Sequence, residues 1–171
     1  YCEYRLTTDD PINIHGFYHY IVDRIDDTHY TVSTKWGLGL EAGDTIETTQ
    51  AVTFQSLGQN RVLTARTRQA PELQSAIDRV WAGRSPTTRG CEVADVTLER
   101  PVRLETGDAI SSLTRTGSGA VIRHCTFHGG GRVMVKAHNV RVEHNRFSHS
   151  VLTALHIGSD IGFWSEASFA R

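Results

Sequence analysis

The chain has 171 residues, with 18 lysines and arginines against 19 aspartates and glutamates, 39% hydrophobic residues and 22% charged ones. That is enough for one ordinary domain or a slice of a larger one, and a near-neutral balance with no long run of either sign offers no concentrated basic face to a nucleic acid. No apolar run approaches the roughly 18 residues needed to span a bilayer, and three cysteines at 2, 91 and 125 without a CxxC pair argue against a disulfide framework.

The first sixteen residues contain the adjacent carboxylates Asp9 and Asp10, then Pro11, then the alternating run Ile12-Asn13-Ile14-His15. That period-2 pattern is the mark of a strand with one buried face. From about Phe17 to Asp108 the texture changes. "HYIVDRID" and "HYTVSTKW" flank Asp26-Asp27-Thr28, a hairpin signal, and "GDTIETTQAVTFQ", "RVLTARTR" and "VADVTLE" read as further antiparallel strands. Pro71 introduces Leu73, Ile77, Val80 and Trp81 at helical spacing, which predicts one short helix near 72–82 with Gly83 closing it.

From about Gly119 the sequence repeats itself. "AVIRHCTF" lies over "VRVEHNRF", with His124 and Phe127 each 20 residues before His144 and Phe147. "VMVKA" is followed by "ALHIG", Val135 preceding Ile157 by 22 residues, and Ile12 and Ile14 fall into the same grammar as Leu155 and Ile157. Short β-branched strands recurring at that interval, broken by Gly, Asn and Ser, indicate a solenoid. The leucine-rich frame is missing, so a parallel β-helix is the expected form, with strands stacked about 4.8 Å apart. Ile122 and Val142 should then point inward and Arg123 and Glu143 outward, with Asn139 and Asn145 at the corners. The expected organisation is all-β: residues 1–16 form one coil, 17–108 a β-rich insertion with its one helix, and 109–171 further coils.

Taken in order along most of the chain, these features resemble the α-1,3-galactosidases of glycoside hydrolase family 110. The residues that carry the resemblance are the Asp9-Asp10-x-x-Asn13-x-His15-Gly16 run, "AGDTIE" in the insertion, the return through "TGDAISSLTRTGSGAVIRHCTF", "RVMVKAHNVRVEHNRF", and Trp164-x-Glu166. The resemblance implies a right-handed parallel β-helix with an inserted small antiparallel β-barrel. It also implies a secreted or periplasmic bacterial exo-glycosidase that removes terminal α-1,3-linked galactose with inversion. Its partner would be an oligo- or polysaccharide, with no nucleic acid and no membrane. The chain differs from the family pattern in having Arg132-Val133 in place of Arg-Gly. It also has Thr34-Lys35-Trp36 ahead of Gly37, where the family places a Gln or Glu, which bears on whether the insertion supplies a carboxylate.

Inverting hydrolysis needs one carboxyl group as general acid and one carboxylate to activate water, about 6.5 to 9.5 Å apart. Asp9 and Asp10 are the catalytic candidates. Adjacent strand residues point to opposite faces, so both can serve one site only at a bend, which Pro11 favours. Side chains one to two coils apart, roughly 5 to 10 Å at the strand spacing, are the natural source of the second group. One coil before Asp10 falls ahead of Tyr1, so the chain reads as an excised piece with its general acid, and any signal peptide, upstream. The pair is also ordinary turn chemistry, each carboxylate capping nearby backbone N–H groups.

Asn13 and His15, on the face opposite Ile12 and Ile14, are candidate ligands of sugar hydroxyls, as are Arg132 and Lys136 as charged donors. Trp164 offers a flat face for the C–H side of a pyranose, with Glu166 two residues on. Each of these also has an ordinary surface role. Nine histidines invite a metal, yet zinc spacing with partner Cys or carboxylates is missing, so neither a metal nor a cofactor is expected. Cys125 reads as a packed small side chain and Gly129-Gly130-Gly131 as a turn. Two other classes stay open: a polysaccharide lyase or uronan epimerase using Lys136 or Arg132 as base beside the aspartates, and a non-catalytic carbohydrate-binding or surface solenoid.

Overall fold

The computed structural model describes residues 1–5, 9–84, 88, 90–158 and 165–167. In chain order the strands are β1 (Cys2–Arg5), β2 (Ile12–Ile14), β3 (Gly16–Arg24), β4 (His29–Thr34), β5 (Thr45–Thr49), β6 (Ser56–Arg68), β7 (Glu92–Leu98) and β8 (Ala109–Ser112). They continue with β9 (Val121–Arg123), β10 (Cys125–Gly130), β11 (Val133–Val135), β12 (Arg141–Glu143), β13 (Arg146–Ser150), β14 (Leu155–Ile157) and β15 (Glu166–Ala167). A 3₁₀ turn, Pro71–Leu73, leads into helix α1 (Gln74–Trp81) between β6 and β7.

Six of these strands close into an antiparallel barrel in the order β3, β4, β7, β6, β5, β8, with β8 returning to β3. Strand alternation gives it two apolar layers. Ile21, Val32, Ile46, Val62, Ala94, Val96, Leu98, Leu104 and Ile110 form one core cluster. Tyr18, Tyr20 and Val22, on the other face of β3, pack instead against Ile77, Val80 and Trp81 of α1. Trp81 stands edge-on to Tyr20 at 5.0 Å and its Nε1–H donates to Ser33 Oγ at 3.0 Å, so the helix docks through one large anchor whose polar atom is satisfied. The run "GDTIETTQAVTFQ" is strand only to Thr49. Gln50 and Gln55 then close a turn in which Phe54 has φ 55°, so the expected continuous strand is broken there.

Of the remaining strands, β15 pairs antiparallel with β3, and the other eight form three small parallel sheets, β1-β10-β13, β14-β11-β2 and β12-β9. Their registers are those of the repeat: Phe127 pairs with Phe147, Ile122 with Val142, and Val133 with both Ile12 and Leu155. Tyr4, Phe127 and Phe147 stack at 5.0 and 4.8 Å with rings within 8° of parallel, one aromatic per strand at the inter-strand spacing. Ile122, Cys125, Val133 and Val135 complete this core, while Arg123 faces out.

The corners differ in part from expectation. Asn139 does take the left-handed conformation (φ 55°), but Asn145 does not. Its side chain bridges two levels, accepting from Cys125 N–H at 2.9 Å and donating to the Ile122 carbonyl at 2.8 Å. His124 and His144 hold the left-handed corners beside it, both at φ 54°, with rings stacked at 5.3 Å. Parallel stacked rings cannot converge their lone pairs on one ion.

Candidate active site

The site lies where β2 and β11 run into the barrel. Ile12 and Ile14 pack into the core of the parallel sheets, so Asn13 and His15 are turned to the opposite face, where Asn13 sits level with Met134. The pairing continues one step past β11, because Lys136 N–H donates to the Ile14 carbonyl at 2.7 Å. Lys136 therefore stands beside His15. Glu166 arrives from the far end of the chain: β15 pairs with β3, Glu166 opposite Phe17, and Tyr18 N–H donates to the Ser165 carbonyl at 3.0 Å.

Four expected site residues thus converge. The Lys136 ammonium is fully buried and donates to Glu166 Oε2. Glu166 Oε1 accepts from Asn13 Nδ2 at 3.0 Å and lies 3.6 Å from His15 Nε2. His15 Nδ1 is 2.9 Å from the Gly16 carbonyl, and its ring stands edge-on to Phe17 at 5.0 Å. A buried charge pair of this kind is held only if its remaining hydrogen-bonding capacity is met, since desolvation offsets much of the attraction. Asn13 supplies such a bond to Glu166, while His15 Nε2, at 3.6 Å, is a neighbour beyond hydrogen-bond distance. Asn13 Oδ1 is closed off from solvent and meets no hydrogen-bond partner among the described residues, which leaves one acceptor in the cluster open.

Asp9, Asp10 and Arg132 form a neighbouring group. The Asp10 N–H donates to Asp9 Oδ1 at 2.8 Å, a turn contact that folds the Asp9 side chain back on its own backbone. Asp9 is exposed; the Asp10 side chain is 19% exposed, with Arg132 Nε 3.4 Å from its Oδ1. Trp164 lies outside the described residues. The sequence reading did not single out Gly131, which runs against the Asp9 backbone, or Phe17, which flanks His15. Only a triple-glycine run marked the first. Among the described residues no three His, Cys, Asp or Glu side chains are grouped closely enough to hold a metal ion, and no helix is long and apolar enough to cross a membrane.

No family model matches the chain. It is similar to Alpha-1,3-galactosidase B of Phocaeicola vulgatus, at 25% identity over 178 residues, an alignment that covers 98% of this chain and 28% of that protein. The chain spans less than a third of the length of this curated relative. The relation is distant and runs through the barrel and the parallel sheets alike.

Proposed function

We propose that the chain is part of an inverting exo-α-galactosidase that removes terminal α-1,3-linked galactose from an oligo- or polysaccharide. In this reading the parallel sheets belong to a right-handed parallel β-helix, with residues 1–16 and 109–171 as its coils and 17–108 as an inserted barrel. The enzyme acts in the periplasm or outside the cell. The observation that carries the reading is the likeness to an α-1,3-galactosidase along 98% of the chain.

Asp9 and Asp10 supply a carboxylate that activates water against the anomeric carbon. The general acid stands one to two coils from the pair, roughly 5 to 10 Å away at the strand spacing, a range that includes the about 6.5 to 9.5 Å that inversion needs. His15, whose side chain is 21% exposed, reaches sugar hydroxyls, with Asn13, Glu166 and the fully buried Lys136 holding that face in place behind it, and Trp164 is the proposed stacking partner of the ring. The buried state of Lys136 supports hydrolysis over a lyase or epimerase, because an ammonium already committed to Glu166 is poorly placed to abstract a proton.

The test is galactose release from α-1,3-, α-1,4- and α-1,6-linked galactobiose by the full-length protein and its Asp10→Asn variant. Release from the α-1,3 disaccharide, reduced at least about a thousandfold in the variant, is expected. Equal activity of the two proteins would overturn the role of the pair, and release confined to another linkage would overturn the substrate.

A further inference from the structure

We propose that Gly131 and Arg132 are positioning residues for the aspartate pair, Gly131 fixing where it sits and Arg132 fixing where Asp10 points; this rests on the galactosidase reading above. The in-register pairing of Ile12 with Val133 brings the residues just before each strand side by side. Gly131 is there for space. A Cβ at 131 would fall 2.3 Å from the Asp9 carbonyl oxygen, 2.6 Å from its carbon and 3.1 Å from Asp10 N. All three are backbone atoms, which cannot swing aside as a side chain can. Gly129 and Gly130 differ in kind: they have φ 67° and 97°, a left-handed backbone that glycine adopts freely, whereas Gly131 lies outside that region.

The contact reaches both carboxylates. Asp9 and Asp10 are tied to each other by the Asp10 N–H to Asp9 Oδ1 bond, so anything that lifts the Asp9 carbonyl shifts the pair together. Arg132, the next residue, places Nε 3.4 Å from Asp10 Oδ1. That nitrogen is closed off from solvent and has no hydrogen-bond partner among the described residues. A buried donor in that position is poised to tighten onto Asp10 when substrate closes the site, since catalytic hydrogen bonds are often long in the empty enzyme. Arg132 thus works through Asp10 and not by holding the sugar, and this predicts which kinetic constant it controls.

The experiment is steady-state kinetics on α-1,3-galactobiose with full-length wild type, Gly131→Ala and Arg132→Gln. It is paired with thermal melts and with the ¹⁵N–¹H resonance of the Asp10 amide. Gly131→Ala should lower kcat about 100-fold, the effect expected of an ångström-scale misplacement, with KM within about threefold. Arg132→Gln should lower kcat about tenfold with KM likewise held, as expected for an interaction made only in the transition state.

A rise in KM at constant kcat for Arg132→Gln would make it a sugar ligand and overturn its part. A kcat within about threefold of wild type for a folded Gly131→Ala would overturn the other. Should wild type release no galactose, the galactosidase reading fails and the Asp10 amide decides. A displaced amide in Gly131→Ala then upholds the positioning, and an unmoved one refutes it. Should Gly131→Ala not fold, the kcat against KM split of Arg132→Gln carries the decision.

Discussion

The barrel and the parallel sheets solve the same problem in opposite ways. In the barrel Ile21, Val32, Ile46, Val62, Ala94 and Leu104 are all at 0% exposure, and every strand has a partner on both sides. In the parallel sheets β9, β11, β12 and β14 are three residues long, and Tyr4, Ile12, Ile14, Val142, Phe147 and Leu155 are only partly covered. A closed barrel satisfies its own backbone, whereas short parallel sheets keep open edges and depend on each neighbouring strand for hydrogen bonds and for cover. The candidate site is at the seam. Lys136 follows a parallel strand, Glu166 sits on a strand added to the barrel, and their ion pair joins the two.

The largest break of this contrast should come from Trp81→Ala, which empties the space between helix and barrel and should cost about 3–5 kcal/mol by denaturant melts. Next is Lys136→Met. It leaves the Glu166 carboxylate buried beside Asn13 with no cation, and should cost about 3–5 kcal/mol, most of it recovered when Glu166→Leu is added. A fully additive double mutant would mean that the pair does not join the regions.

His19 sharpens the barrel side. It lies across from Ile110, fully buried, with neither ring nitrogen hydrogen-bonded among the described residues, and burial, opposed more weakly by the Tyr18 backbone, lowers its pKa from 6.5 to about 4. The unfolded chain therefore takes up the proton first as pH falls. The stability is fully present above about pH 6.5 and lost towards pH 4, a change of roughly 3 kcal/mol. Melting temperature against pH should show this loss, and His19→Gln should flatten it. Smallest is Phe147→Ala, at the half-covered end of the aromatic ladder, at about 1–2 kcal/mol in the same melts. A loss as large as that for Trp81→Ala would make the two regions alike in packing.

Much of this was legible in the sequence because the side chains repeat. Phe127 over Phe147 and Ile12 with Leu155 gave the register of the parallel sheets, since only one alignment keeps every apolar residue inside. Alternation likewise placed Asn13 and His15 on one face. The convergence of Lys136 and Glu166 was not legible as a contact: it depends on β15 pairing with β3, a join across nearly the whole chain that no local pattern encodes. Gly131 escaped for a related reason. A glycine needed for space reads the same as one needed for a turn until the backbone beside it is seen.

The most direct measurement is proton NMR of the sugar first released from α-1,3-galactobiose by the full-length protein, read before mutarotation and beside Asp9→Asn and Asp10→Asn. β-Galactose from wild type, lost in the variants, is the predicted result. α-Galactose as the first product, or β-galactose formed equally by all three proteins, would contradict the account.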